Sequence, residues 1–149
     1  MLENASYMED AFQQAKLAAL RDEVPVGAVI VHEDKIIAAD GNRNLGLKDP
    51  TAHAEILTIR RAARILGSER LTDCDLYVTL EPCPMCAAAI SFARIRRLYF
   101  GASDEKSGGV ENGIRYYAHP TCHHKPEIYA GIMGRDCSKI LKEFFENKR

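Results

Sequence analysis

The chain has 149 residues, 46% of them hydrophobic and 28% charged, which is enough for one globular domain with a buried core, expected to span residues 1–149. No apolar run is long enough to cross a bilayer, and the acidic N-terminal segment is no secretory signal, so we expect a cytoplasmic protein without membrane contact. The net charge of −1 excludes a uniformly basic nucleic-acid-binding coat, although not local basic patches. Five cysteines without an export signal favour metal ligands or buried thiols over a disulfide framework.

The first part of the chain predicts a helix followed by a β-hairpin. In residues 6–21, apolar side chains recur at steps of three and four between polar ones, as on an amphipathic helix. Residues 27–31 (GAVIV) and 36–39 (IIAA) are short apolar runs joined by a polar link, which indicates an antiparallel hairpin. Residues 40–50 are predicted to be loop.

The rest of the chain alternates helices and strands. Thr51 is a favourable N-cap for a helix that runs to Leu66, where Gly67 ends it. The predicted elements that follow are a strand over 76–80, an Ala-rich helix over 83–92, a strand over 98–101, a long loop with a turn of helix over 102–126, an edge strand over 127–130 and an amphipathic helix over 136–147. This order predicts an α/β fold: a single mixed β-sheet of about five strands with helices on both faces.

Two short motifs, H-A-E at 53–55 and P-C-P-M-C at 82–86, carry ligand chemistry. Cys83 and Cys86 lie three apart in the first turn of a predicted helix, where the helix dipole favours the thiolate that zinc binds. A lone C-x-x-C also fits half of a four-cysteine structural site or a redox dithiol. Without a second such pair, the upstream His53 favours one zinc ion held by His53, Cys83 and Cys86, and three protein ligands leave the fourth position to water.

Glu55 is expected to be an unligated proton carrier. As a ligand, its carboxylate would occupy the position that the water needs. Side chains two apart in a helix point about 200° apart, so His53 and Glu55 can converge only at an irregular first turn. The alternative is an acid placed there by the helix dipole; a capping box from Thr51 is excluded, because the residue three positions later is Ala54.

These positions match the H-x-E … P-C-x-x-C signature of the zinc-dependent cytidine and deoxycytidylate deaminase superfamily. Within that superfamily, residues 5–146 resemble the bacterial tRNA-specific adenosine deaminases. The similar stretches are EVPVGAV at 23–29, DPTAHAE at 49–55, TLEPC at 79–83 and residues 97–107, with FGA at 100–102.

The resemblance implies a cytidine deaminase-like three-layer fold and a zinc-dependent hydrolase with one Zn²⁺ in each subunit of a homodimer. It implies conversion of adenosine to inosine at the wobble position of a tRNA anticodon, in which zinc-activated hydroxide attacks C6 and Glu55 is the proton shuttle. It also implies that Asn42 hydrogen-bonds the flipped base, and that Asp104 and Lys106 line the loop that holds the anticodon stem-loop. From the residues alone, Asn42 is also compatible with a turn and the other two with loop charges.

Two alternatives stay open at this point. A deaminase of a free nucleobase or nucleotide such as guanine or cytosine is one, because Pro84 and the D-P-T-A-H-A-E stretch also suit guanine deaminases. A zinc-stapled binding module is the other, and it requires a fourth protein ligand. The E-V-P-V-G-A stretch and two groups of arginines favour RNA, since arginines contact phosphates, although they also fit solvated faces. These arginines are Arg60, Arg61, Arg64, Arg70, Arg94, Arg96 and Arg97.

The segment HPTCHH at 119–124 is rich in metal-ligating side chains. A second metal site there is less favoured than an RNA-contacting loop or plain surface, and the sequence assigns no role to Cys122, His123 and His124. Cys74 and Cys137 are expected to be buried or incidental thiols. The Ala-rich helix over 83–93 is a candidate dimer interface, because small side chains allow close approach.

Overall fold

The structure is a computed structural model that describes the backbone of residues 2–148 and the side chains of residues 7–148. Every helix and strand predicted from the sequence is present, with ends shifted by a few residues. In chain order the elements are α1 (Leu2–Leu20), β1 (Gly27–His32), β2 (Lys35–Gly41), α2 (Asn44–Leu47), α3 (Ala54–Leu66), β3 (Cys74–Leu80), α4 (Pro84–Phe92), β4 (Arg97–Ala102), the 3-10 turn η1 (Tyr116–Ala118), β5 (Glu127–Ala130) and α5 (Gly134–Asn147).

The strands form one mixed sheet in the order β2-β1-β3-β4-β5. Strand β1 is antiparallel to β2 and β3, whereas β4 is parallel to β3 and β5 is parallel to β4. The link between β1 and β2 turns at Glu33 and Asp34, which both have positive φ, as tight hairpin turns require. The predicted five-stranded mixed sheet, its hairpin and its edge strand β5 are therefore confirmed.

Helices cover both faces of the sheet, and each face has its own apolar core. Successive residues of a strand point to opposite faces. Leu76 and Val78 of β3 accordingly pack with α3 and α4, while Tyr77 between them packs with α1. Helix α5 lies beside α1 and contacts β4. The predicted three layers are present, and among the helices of residues 2–148 none is both long and apolar enough to cross a membrane.

The start of α3 differs from the prediction in one respect that shapes the site. Helix α3 begins at Ala54 with His53 as its N-cap, so Thr51 is not the cap. The Thr51 hydroxyl donates instead to Asp49 Oδ1 at 2.7 Å. The first amide of α3, Ala54 N–H, donates to Asn42 Oδ1 at 2.8 Å, so the cap comes from a residue twelve positions earlier. The prediction at the other end is confirmed, because Gly67 ends α3 with φ 64°.

The predicted loop before α3 also contains structure. Residues 44–47 form the short helix α2, which ends at Lys48 with positive φ. The predicted loop over 102–126 does contain its turn of helix, η1. Both segments lead towards the carboxyl end of β3 and the starts of α3 and α4, where the candidate site lies.

Candidate active site

Three zinc-favouring side chains meet where α3 and α4 begin. His53 is the N-cap of α3, Cys83 is the N-cap of α4, and Cys86 lies in the first turn of α4. His53 Nδ1 lies 3.6 Å from Cys83 Sγ and 3.4 Å from Cys86 Sγ, and the three ligand atoms all lie within 4.8 Å of one another. A tetrahedral zinc ion with bonds of about 2.0–2.3 Å needs ligand separations of this size. The geometry and the donor set therefore fit zinc.

Two prolines determine where helix α4 begins, and thereby the positions of Cys83 and Cys86. Pro82 follows the end of β3, and Pro84 opens α4 at its first helical position, where its missing N–H costs nothing. The Cys86 thiol and His53 hydrogen-bond to Cys83 and lower the pKa of Cys83 to about 4. The Cys83 thiolate and burial in turn raise the pKa of Cys86. Two adjacent thiolates repel each other, so a divalent cation between them would be needed for both to ionise.

Glu55 is the second residue of α3 and only 4% exposed. Burial destabilises its carboxylate and raises the pKa of Glu55 to about 7. Within residues 7–148, the ligand atoms that cluster tightly enough for a metal are those of His53, Cys83 and Cys86, and Glu55 is not among them. The structure thus places Glu55 close to the three candidate ligands and outside their cluster of ligand atoms.

A cavity of about 250 Å³ opens onto these residues. This is smaller than the roughly 300 Å³ at which pockets for drug-sized ligands begin, so it suits a single base better than a whole nucleotide. Val24, Val26 and Leu80 give it an apolar surface. The polar side chains that line it are Asn42, Asn44, His53, Glu55, Glu81, Cys83, Asp104 and Ser107.

Of the three predicted substrate-binding residues, two line this cavity. Asn42 is 8% exposed, and its Oδ1 is committed to the cap of α3, so its amide nitrogen is the atom that can meet a ligand. Asp104 opens a turn in which its Oδ1 accepts from the N–H groups of Lys106 and Ser107. Lys106 is exposed and lies outside the cavity lining, which includes its neighbour Ser107.

Two buried carboxylates that the sequence does not single out are Glu81, which lines the cavity, and Glu23. Glu23 accepts hydrogen bonds from the N–H groups of Leu45 and Gly46 in α2. Glu81 accepts five hydrogen bonds from the loop after β4. Both glutamates stand in apolar stretches, EVPVG and LEPC, and a charge in such surroundings is a signal for a buried, hydrogen-bonded carboxylate.

The segment over 119–124 does not assemble a metal site within residues 7–148. Nε2 of His119 and Nε2 of His124 lie 2.7 Å from the carbonyl oxygens of Ile114 and Ile95, so a backbone group occupies one ring nitrogen of each imidazole. The thiol of the buried Cys122 donates to the carbonyl oxygen of His124. This segment therefore braces the end of α4 and the start of β4.

The remaining thiols and several arginines have structural roles. Cys74 and Cys137 are fully buried, as expected, and burial raises their pKa values to about 11 and about 12. Arg96 and Arg97 pair with Asp75, at the opposite end of β3 from the cavity. Of the other arginines considered as RNA contacts, Arg61 pairs with Asp40 and Arg94 is half-buried. The exposed ones are Arg60, Arg64 and Arg70.

Comparison with known proteins places the chain in a family. The model of the MafB19-like deaminase family matches residues 2–149. A tRNA-specific adenosine deaminase of Agrobacterium fabrum is 56% identical over 149 residues, which cover 100% of this chain and 98% of that protein. The chain belongs to the tRNA-specific adenosine deaminase family. It is therefore a deaminase, and the resemblance read from the sequence is confirmed.

Solved structures agree with this assignment. A structure from a study of A-to-I editing by tRNA:A34 deaminases at the wobble position of transfer RNA is 57% identical, with a TM-score of 0.90, and the match covers 91% of this chain and 99% of that one. A guanine deaminase of Bacillus subtilis is 30% identical, with a TM-score of 0.65 over 95% of this chain and 92% of that one. The fold is thus shared with guanine deaminases, whereas sequence and structure are both more similar to the tRNA deaminases.

Proposed function

We propose that this protein hydrolytically deaminates adenosine to inosine at the wobble position of a tRNA anticodon. The observation that carries the proposal is the buried, unligated Glu55 beside the cluster of His53, Cys83 and Cys86, at a base-sized cavity. The substrate class comes from the family, whose Agrobacterium fabrum member is a tRNA-specific adenosine deaminase. The free-base alternative has weaker support, since the guanine deaminase is less similar.

His53, Cys83 and Cys86 would hold one zinc ion. When bound, zinc supplies a Lewis acid that lowers the pKa of a water molecule at its fourth position. Glu55 moves the protons. With a pKa near 7 its carboxyl group can both accept and donate a proton at neutral pH, first to N1 of the adenine ring and then to the leaving amino group. A C6–O bond forms and the C6–N bond breaks, so that adenosine and water give inosine and ammonia.

The cavity walls orient the base. The amide nitrogen of Asn42 donates a hydrogen bond to an acceptor on the base edge, while its Oδ1 stays on the cap of α3. The apolar side chains of Val24, Val26 and Leu80 contact the base. Asp104 also lines the cavity, and the exposed Lys106 close to it in the chain contacts the RNA backbone. Bases of an anticodon loop are unpaired, so presenting one to an open cavity requires less free energy than extruding a base from a duplex.

We further propose that two copies of the chain, each one domain over residues 1–149 with one zinc ion, form a homodimer that binds a tRNA anticodon stem-loop in the cytoplasm. The exposed face of helix α4 is the observation that favours a dimer. Its outer face carries Met85, Ala88, Ala89 and Phe92, and Phe92 is 74% exposed. An apolar strip of small side chains with one large exposed ring is typical of an interface between protein subunits.

A substrate panel tests the function. The zinc-loaded protein is incubated with total tRNA, with anticodon stem-loops that carry adenosine or guanosine at the wobble position, and with free adenine, guanine and cytosine. We expect inosine in the adenosine stem-loop and ammonia in equal amount. Ammonia from free guanine without inosine in RNA would replace the proposal by the free-base alternative.

A further inference from the structure

Glu81 links the end of β3 to the metal-binding turn at Pro82 and Cys83, and it is 2% exposed. Its carboxylate accepts five hydrogen bonds, all from the loop over 104–112. The donors to Oε1 are Asp104 N at 3.0 Å and Asn112 Nδ2 at 2.7 Å; those to Oε2 are Val110 N at 3.2 Å, Glu111 N at 2.8 Å and Asn112 N at 3.0 Å.

The loop closes around this carboxylate without spare room. A Cβ on Gly108 would lie 2.6 Å from Cδ and Oε2 of Glu81, and a Cβ on Gly109 would lie 2.7 Å from Pro84 N. Gly109 N–H also donates to Pro82 O at 2.8 Å. Two glycines thus let the loop contact both the glutamate and the turn that carries Cys83.

The same loop forms one wall of the cavity. Asp104 and Ser107 line the cavity, and the Asp104 N–H is one of the five donors to Glu81. Glu81 is therefore in contact with the substrate wall, and it directly precedes Pro82 and the ligand Cys83. A displaced carboxylate would change the distance between that wall and the metal ligands.

We propose that Glu81 is a positioning residue that holds the loop over 104–112 in its substrate-binding conformation and thereby determines affinity for the RNA base. Glu81 acts through Asp104 and the cavity wall, so its loss weakens binding more than it slows proton transfer by Glu55. The substrate rests on the proposed function, whereas the anchoring of the loop is independent of it.

Replacing Glu81 with glutamine separates the anchoring of Asp104 from the anchoring of residues 110–112. A glutamine has the shape of glutamate but one acceptor oxygen, so it cannot serve both groups of donors. With its oxygen on the three backbone N–H groups of Val110, Glu111 and Asn112, its NH₂ group faces the Asp104 N–H and the side-chain amide of Asn112. The Asn112 amide can turn its oxygen towards this NH₂ group, whereas the Asp104 N–H cannot, and that bond is lost. Glu81→Gln is therefore expected to release Asp104 while residues 110–112 stay anchored.

The kinetic test compares the wild-type protein with Glu81→Gln on an adenosine stem-loop. We expect KM to rise about tenfold while kcat changes less than about threefold, as the loss of one hydrogen bond from a charged group predicts. Zinc should stay at one ion per chain. An unchanged KM, or a fall in kcat alone, would overturn the proposal.

Asp75→Asn is the matched control. Asp75 is likewise a buried carboxylate, 8% exposed, but it lies at the end of β3 opposite Glu81, where it accepts hydrogen bonds from Arg96. This variant should lower Tm and leave KM within about twofold. Asn112→Ala, which removes one of the five hydrogen bonds, covers the case in which Glu81→Gln does not fold, and should raise KM in the same direction by a smaller factor. If Asp75→Asn raises KM as much as the loop variants, a general loss of stability explains the effect and the proposal is wrong.

Amide hydrogen exchange measured by NMR tests the anchoring without any substrate. In Glu81→Gln the amide of Asp104 should exchange about tenfold faster, and the amides of β1 should keep their wild-type rates. Equal protection of Asp104 in both proteins would contradict the anchoring role. If the wild type deaminates no RNA at all, the proposed function fails, and the exchange rates still decide whether Glu81 holds the loop.

Discussion

The side of the cavity with the proposed zinc ligands, the metal side, and the side proposed to bind the base, the substrate side, are held in place by different means. His53, Cys83 and Cys86 stand at the starts of two helices that pack on the sheet, so secondary structure fixes them. The substrate side consists of two loops, and each is held by the carboxylate of a buried glutamate, Glu23 or Glu81. Because the supports differ, the chemistry and the recognition of substrate can be disturbed separately.

The largest expected effect comes from removing a metal ligand. Cys86→Ala leaves two ligands, so we expect loss of the zinc ion and a fall in kcat of at least about a thousandfold. Atomic absorption measures the zinc content, and deamination of the stem-loop measures kcat. Cys122→Ala, which removes a buried thiol outside the cluster, is the control and should keep both values. A zinc-replete Cys86→Ala protein would contradict the ligand assignment.

Alkylation gives a second measure of the metal side. The pKa of Cys83 is lowered to about 4, so in zinc-free protein this sulfur is a thiolate at every pH above that value. Its reaction with iodoacetamide should therefore be nearly constant between about pH 6 and pH 8, whereas an ordinary thiol becomes about tenfold more reactive per pH unit in this range. Added zinc should suppress the reaction. A rate that climbs with pH would indicate an ordinary thiol.

Glu55→Gln should disturb chemistry alone. The amide keeps the shape but carries no transferable proton at neutral pH, so kcat should fall about a hundredfold to ten-thousandfold. Zinc content and the affinity for the stem-loop should stay at wild-type values. Single-turnover kinetics and a binding titration separate these quantities, and full activity in this variant would remove Glu55 from the mechanism.

Asn42 caps α3, which carries His53, and it also lines the cavity. Two variants separate these two roles. Asn42→Asp keeps an oxygen for the Ala54 N–H but has no amide donor, so KM should rise about tenfold with little change in stability. Asn42→Ala loses the cap as well and should also destabilise the protein by about 1 kcal/mol. Chemical denaturation and KM values measure the two effects. Equal destabilisation by both variants would mean that the cap contributes nothing.

The same contrast explains what could be predicted from the sequence. The positions of Cys83 and Cys86 in the first turn of a helix were predicted from Pro82 and their spacing, and the three proposed ligands lie together in the structure. The anchoring by Glu81 was not predicted, because four of its five donors are backbone N–H groups, and these carry no sequence signature. Thr51 was wrongly expected to cap α3, since the competing oxygen of Asn42 is brought there only by the folded hairpin. Side-chain chemistry is visible in a sequence; backbone donors are not.

The smallest effect is expected from Glu23→Gln. Each carboxylate oxygen of Glu23 accepts one N–H group, from Leu45 and from Gly46, so glutamine loses one of two bonds where Glu81→Gln releases one of five. The α2 segment is also tied to Arg43, whose carbonyl oxygen accepts from Leu47 N–H, and Asn44 Nδ2 bonds the carbonyl oxygens of Asp49 and Pro50. Because these other hydrogen bonds still hold the α2 segment, KM should rise only about threefold. KM values for both variants, measured side by side, test this. If Glu23→Gln raises KM as much as Glu81→Gln, the number of remaining hydrogen bonds does not determine the conformation of the cavity wall. Substrate affinity then depends on the buried charge itself.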